Sequence, residues 1–107
     1  MVRGLGVDLV RVDRIAHALR NPRFAQRILT SQERDRPLDA EYVAGRWAAK
    51  EAVAKALGRS LSWHQVVVLG PGLPTVSLDP ELRIEGTILV SISHERDHAV
   101  AVAIWEV

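Results

Sequence analysis

Residues 39–58 read DAEYVAGRWAAKEAVAKALG, and this stretch is the strongest helical pattern in the chain. It predicts a helix from about Asp39 to Leu57 that ends at Gly58, a residue suited to a left-handed C-terminal cap. One face carries a narrow stripe of mostly small residues, which favours close packing. The stripe consists of Tyr42, Gly45, Ala49, Ala52, Val53 and Ala56. Trp47, Glu51 and Lys55 turn to the opposite side of this helix.

Two shorter helices are expected before this segment. Asp13 suits the cap of a helix through Arg20, and Asn21-Pro22 is a typical helix start, with proline at the first helical position. Thr30 to Glu33 fits a capping box.

The two ends of the chain have the alternation of strands. Leu5, Val7 and Leu9 alternate with Gly6, Asp8 and Val10, which puts Asp8 opposite the more regular apolar row. Further strands are predicted at 66–69, 75–78, 87–93 and 99–105, and residues 94–98 read as the connection of a final hairpin. The pattern therefore predicts an α+β fold, and 107 residues predict a single domain.

The composition excludes several classes of protein. Fourteen Lys and Arg against thirteen Asp and Glu leave a net charge of +1, which argues against nucleic acid as a partner. No apolar run approaches the roughly 20 residues of a membrane span, and no targeting core is seen, so neither membrane nor export is expected. Without cysteine there is no disulfide framework, and a reducing cytoplasm is the expected location.

Asp8 and Glu51 form the first candidate site, because each is displaced from the apolar face of its element. Two carboxylates suit Mg²⁺ when a phosphate ligand completes its oxygen shell. The structural alternative is that Asp8 bonds to backbone and Glu51 pairs with Lys55 at i, i+4. Spacing alone favours that alternative.

A basic set surrounds Glu51 on the same helix. Arg46, Lys50 and Lys55 would neutralise phosphate oxygens at a metal site, although solvated helix charge is the favoured explanation of these residues in isolation. Trp47 reads either as an interface anchor or as a core residue.

A series of arginines occupies a span, residues 14–32, that contains no acidic residue. Such a surface should attract an acidic partner, with Phe24 either in the core or docking that partner. The series is Arg14, Arg20, Arg23 and Arg27.

His94 and His98 have the spacing of a helical zinc pair, but they flank a turn and lack a third ligand. A Ser-His hydrolase is also disfavoured, since the Gly-x-Ser-x-Gly elbow is missing.

Four ordered segments together resemble the holo-acyl-carrier-protein synthases, the short bacterial phosphopantetheinyl transferases. They are GLGVDLV at 4–10 with Arg14-Ile15, FAQRILT at 24–30 with Glu33, AGRWAAKEA at 44–52 with KALG at 55–58, and VSISH at 90–94. The resemblance implies an antiparallel sheet packed against a long helix. It also implies a homotrimer with the coenzyme between neighbouring subunits.

The resemblance further implies transfer of phosphopantetheine from coenzyme A to a serine of apo acyl carrier protein. Asp8 and Glu51 match magnesium ligands, and Arg46, Lys50, Lys55 and His94 match positions near the coenzyme's phosphates or the reacting groups. Glu51, directly or through water, is our candidate base, with Asp8 and Lys55 completing the catalytic set. The carrier protein's acidic helix is expected on Arg14, Arg20, Arg23, Phe24 and Arg27. A non-catalytic module that binds an acidic protein or nucleotide, or a phosphohydrolase, remains the alternative.

Overall fold

The structure is a computed structural model that describes all 107 residues. Three helices follow the first strand, and the remaining strands form two hairpins. The elements are β1 (Val2–Arg11), α1 (Val12–Ala18), α2 (Pro22–Ile28), α3 (Ala40–Leu57), β2 (Val66–Leu69), β3 (Thr75–Leu78), β4 (Thr87–His94) and β5 (His98–Glu106). Short 3-10 turns lie at Trp63–Gln65 and Pro80–Leu82. No helix is long and apolar enough to cross a membrane.

A three-stranded antiparallel sheet, in the order β1-β5-β4, packs one face on α3, and β2 pairs with β3 in a separate hairpin. The core lies between the sheet and the helices, where alanines of α3 meet the alanines at 99, 101 and 103 of β5. The expected α+β architecture and its sheet-on-helix packing are confirmed.

Two glycines set the distance between β1 and α3. A Cβ atom at Gly4 would collide with the carbonyl oxygen of Ala56, and one at Gly6 with that of Ala52. Because alternate residues of a strand share a face, Asp8 lies on this helix-facing side of β1, together with the buried Val10. The expected separation of Asp8 from the regular apolar row is therefore confirmed.

That apolar row faces away from the helices. Leu5, Val7 and Leu9 are 66%, 54% and 64% exposed. The register pairs them with Ile104, Val102 and Val100 of β5, and no other element of the chain packs on this side. The sheet therefore presents a continuous apolar outer face to its surroundings.

Local signals located most elements correctly. Asp39 caps α3 by accepting a hydrogen bond from the Tyr42 N–H, and Gly58 ends it with φ 67°. Asn21 caps α2 in the same manner through the Arg23 N–H. The final hairpin turns at residues 95–97, as the sequence predicts.

One local prediction was wrong, and the capping box was confirmed in its bonds. Asp13 does not cap α1, which begins at Val12 and ends at Ala18. Its carboxylate pairs instead with Arg11 at 2.8 Å. The capping-box bonds of Thr30 and Glu33 do form, but only a turn follows them because Glu33 is drawn into the core.

Candidate active site

Asp8 and Lys55 meet where β1 crosses the C-terminal half of α3. The Nζ of Lys55 donates to Asp8 Oδ1 at 3.1 Å and to the Val7 carbonyl at 3.0 Å. The Asp8 side chain is 15% exposed, whereas that of Lys55 is 54% exposed. Asp8 is nearly buried, and its ion pair with Lys55 lies at the surface. One side of the Asp8 carboxylate is therefore open to a ligand.

Glu51 lies one helical turn before Lys55, so the two side chains share a face of α3. Both line a shallow depression completed by the segment after α3, Gly58 to Leu61. The structural alternative from the sequence paired Glu51 with Lys55, but the lysine turns to Asp8 instead. The structure therefore joins Lys55 to Asp8, while Glu51 shares only the depression with Lys55 and makes no side-chain bond to either residue.

The donor set fits a hard divalent cation. No group of three or more His, Cys, Asp or Glu residues is placed to hold a metal. Two carboxylates alone suit Mg²⁺, which keeps several waters and commonly takes its other oxygens from a phosphate substrate. A cation held by Asp8 and Glu51 would therefore depend on the substrate to complete its shell.

Arg46 and His94 line a second, polar depression at the N-terminal end of α3. Arg46 is only 8% exposed and donates to the Gly70 carbonyl at 3.1 Å, while its Nε has no partner. His94 contacts the Glu41 carbonyl through Nε2 at 2.9 Å. The structure brings these two predicted residues together.

Sequence reasoning missed Arg36 and Tyr42 at this depression. The Tyr42 ring has the guanidinium of Arg36 at 3.8 Å and that of Arg46 at 4.6 Å from its centroid. Tyr42 was expected only in the packing stripe of α3. The spacing of Tyr42 to Arg46, i and i+4, was the available signal for the contact between these two residues.

Lys50 is not where the family resemblance implies. It is 3% exposed, and its ammonium donates to Glu33 Oε1 at 2.7 Å, to the Ile28 carbonyl at 2.8 Å and to the Trp63 carbonyl at 2.9 Å. All three N–H donors are used, so none remains for a coenzyme phosphate. The prediction of a coenzyme contact is contradicted by this burial.

The same burial perturbs the ionisation of Lys50. Desolvation lowers the pKa of Lys50 from its ordinary value of 10.5, and the nearby charge of Arg46 lowers it further. The hydrogen bond and the charge of Glu33 act in the opposite direction but do not restore the ordinary value. The buried pair is therefore held together against a desolvation cost.

The predicted docking residues lie together on one groove between α1 and α2. Arg14, Arg20, Arg23, Phe24 and Arg27 all line it, and no acidic residue does. Trp47 forms part of the wall, stacked between Phe24 at 5.9 Å and Trp63 at 4.5 Å between ring centroids. Arg14 lies 5.4 Å above its ring. The open question about Trp47 has a double answer, since it packs on the core and also lines the groove.

Known proteins resemble this chain in sequence and in fold. Residues 4–103 match the family model of the 4'-phosphopantetheinyl transferase superfamily. A holo-[acyl-carrier-protein] synthase from Exiguobacterium is 41% identical, over 99% of this chain and 93% of the relative. The chain therefore belongs to the 4'-phosphopantetheinyl transferase superfamily, as the sequence segments indicated.

Two solved structures narrow the comparison. The holo-(acyl-carrier-protein) synthase from Bacillus anthracis, in complex with CoA (3',5'-ADP), has a TM-score of 0.87 and 34% identity over 99% of this chain and 97% of its own. The synthase from Neisseria meningitidis has a TM-score of 0.88 and 30% identity over the whole of both chains. Within the superfamily, this chain is thus an enzyme of the holo-acyl-carrier-protein synthase type.

Proposed function

We propose that this protein transfers the phosphopantetheine arm of coenzyme A to a serine hydroxyl of an apo acyl carrier protein. The serine oxygen forms a bond to the phosphorus that bears the pantetheine arm. The bond from that phosphorus to the bridging oxygen of the pyrophosphate breaks, and adenosine 3',5'-bisphosphate leaves with that oxygen. One observation supports this function above others: helix α3 borders two features of the surface. Its Glu51 and Lys55 line the depression beside Asp8, and its Trp47 lines the acid-free arginine groove. Phosphoryl transfer to an acidic protein needs both features.

Asp8 and Glu51 are the proposed ligands of Mg²⁺. When bound there, the ion would offset charge on the pyrophosphate of coenzyme A. Glu51 is also the proposed base, since a carboxylate beside the acceptor can take the serine proton directly or through water. Lys55 bonds to Asp8 and lines one depression with Glu51, and it is proposed to donate to the phosphate oxygens that gain charge.

Arg46 and His94 are proposed to bind one of the phosphate groups of coenzyme A. The guanidinium groups of Arg46 and Arg36 are the cations available to a phosphate in that depression, which Asp39 and Glu41 also line. The groove of Arg14, Arg20, Arg23, Phe24 and Arg27 is the proposed dock for the carrier protein's acidic helix.

The absence of cysteine is consistent with our placing the reaction in the cytoplasm.

The apolar outer face of the sheet supports a homotrimer. Leu5, Val7 and Leu9, with their β5 partners, leave a wide hydrophobic surface that a soluble monomer rarely exposes. Association of three copies through this face would cover it. It would also bring a neighbouring chain towards the coenzyme depression, as the resemblance implies.

The test is intact-mass spectrometry of apo acyl carrier protein incubated with the enzyme, coenzyme A and MgCl₂. The expected result is the addition of one phosphopantetheine, which a chelator abolishes. A carrier protein whose acceptor serine is replaced by alanine is the matched control. No addition under any divalent cation would contradict the proposal. Coenzyme cleavage without an acceptor would favour the phosphohydrolase, and complex formation without either would favour the binding module.

A further inference from the structure

The C-terminal end of α2 is held by donor side chains from three other parts of the chain. Lys50 donates to the Ile28 carbonyl at 2.8 Å, and Arg34 donates to the Leu29 carbonyl at 2.7 Å. His64 contacts the Gln26 carbonyl at 2.9 Å. The last carbonyls of a helix have no partner within the helix and carry a partial negative charge, so cationic donors stabilise them. We call these three side chains the α2 clamp.

Lys50 is the buried member of the α2 clamp, and Glu33 fixes it. Glu33 is fully buried, and its Oε1 accepts from Lys50 Nζ and from the Thr30 N–H at 2.8 Å. Its Oε2 accepts from the Val68 N–H at 2.7 Å. One ion pair therefore ties together the end of α2, the turn after it, α3 and β2.

The two elements joined by Lys50 have different tasks in the proposed reaction. Helix α2 carries Arg23, Phe24 and Arg27 of the docking groove, whereas α3 carries Glu51, the residue next to Lys50. The distance from a docked carrier protein to the proposed base therefore depends on how α2 sits against α3. Lys50 is a residue of α3, and its ammonium bonds to the Ile28 carbonyl of α2 and to Glu33 in the turn after α2.

From this geometry we infer that Lys50 and Glu33 are positioning residues that align the docking helix with the catalytic acid of the transferase. The inference rests on the proposed function. Stability alone is a weak reason for such a pair, because replacing a buried ion pair with neutral residues is often harmless to folding. Removing one partner alone leaves a buried charge without compensation and destabilises the fold. That contrast allows alignment and stability to be measured apart.

The experiment compares Lys50→Met with the double variant Lys50→Met/Glu33→Gln. The single variant is expected to lose both stability and turnover. The double variant has no stranded charge, and its amide oxygen still accepts from the Val68 N–H, while the Thr30 N–H loses its acceptor. Its unfolding midpoint should therefore recover most of the loss seen in the single variant. Its kcat should stay at least about tenfold low, because small misplacements of reacting groups cost that much or more. The Kd for coenzyme A and the KM for the carrier protein should change less than about threefold.

Two further variants sharpen the comparison. Arg34→Met removes another member of the α2 clamp without stranding a buried charge, and smaller losses of kcat and of stability are expected. Arg83→Met removes an exposed cation that bonds to no member of the clamp, and neither quantity should change.

Recovery of kcat together with stability in the double variant would overturn the inference, since a purely structural pair predicts that result. A wild-type protein that modifies no carrier protein would defeat the proposed function instead. In that case, hydrogen exchange still tests whether Lys50 and Glu33 hold α2 in place. Peptides that cover α2 should exchange faster in the double variant than in the wild type, and equal exchange would overturn the inference.

Discussion

Glu51 carries the clearest prediction at the scale of single residues. Glu51→Gln keeps the size of the side chain but removes the proposed base and a proposed metal ligand. The rate of transfer should fall at least about a hundredfold, in line with the loss of general base catalysis, while carrier-protein binding persists. Mass spectrometry gives the rate, and fluorescence anisotropy of a labelled carrier protein gives the affinity. Glu81→Gln, at an exposed turn, is the control. An equal loss of rate and affinity would contradict the assignment of Glu51 to chemistry.

Lys50 leads to a second prediction, on pH and stability. Burial lowers the pKa of the folded lysine below 10.5, so between that lowered value and 10.5 the unfolded chain binds a proton that the folded chain has released. Stability rises with pH wherever the unfolded state binds more protons. The free energy of unfolding, measured in urea, should therefore rise relative to Lys50→Met as the pH approaches 10.5. A difference that stays constant with pH would mean that Lys50 ionises normally in the folded protein.

At the scale of secondary-structure elements, α1 and α2 form the docking groove. Arg23→Glu places a negative charge among the arginines that we assign to the acidic helix of the carrier protein. The affinity should fall about threefold to tenfold, because each exposed charge pair contributes only a fraction of a kcal/mol up to about one. Transfer at saturating carrier protein should persist, and added salt should narrow the difference. Arg83→Glu serves as the control, and a matching fall in its affinity would show a general effect of net charge.

The same elements show what the sequence reveals and what it leaves hidden. Helices α2 and α3 and the final hairpin were predicted closely, because caps, periodicity and turn residues act within a few positions. The start of α1 was wrong because Asp13 has a competing partner in Arg11. The predicted site residues fall into three separate groups, and Lys50 belongs to none of them. The groups are Asp8 with Lys55 and Glu51, Arg46 with His94, and the arginine groove. The burial of Lys50 depends on carbonyls from Ile28 and Trp63, which no spacing within α3 could indicate.

At the scale of the whole molecule, the uncovered sheet face yields a test of assembly. Val7→Glu places a charge in the middle of that face, opposite Val102. Light scattering should show a particle of three chains for the wild type and of one chain for the variant, because burying an unpaired charge is costly. Coenzyme affinity should fall with it if the site lies between subunits. Ser77→Glu, at an exposed position of β3, is the control, and a wild type that scatters as one chain would refute the trimer.

The glycines at positions 4 and 6 have an effect that reaches the chemistry. They let β1 lie so near to α3 that Asp8 and Lys55 can touch. A single added methyl group at Gly6 would wedge strand and helix apart and separate that pair. In an assay, such a variant would behave like a catalytic knock-out, although the altered position meets no substrate and has no reactive group. The positions of the reacting groups therefore depend partly on the lack of side chains at Gly4 and Gly6.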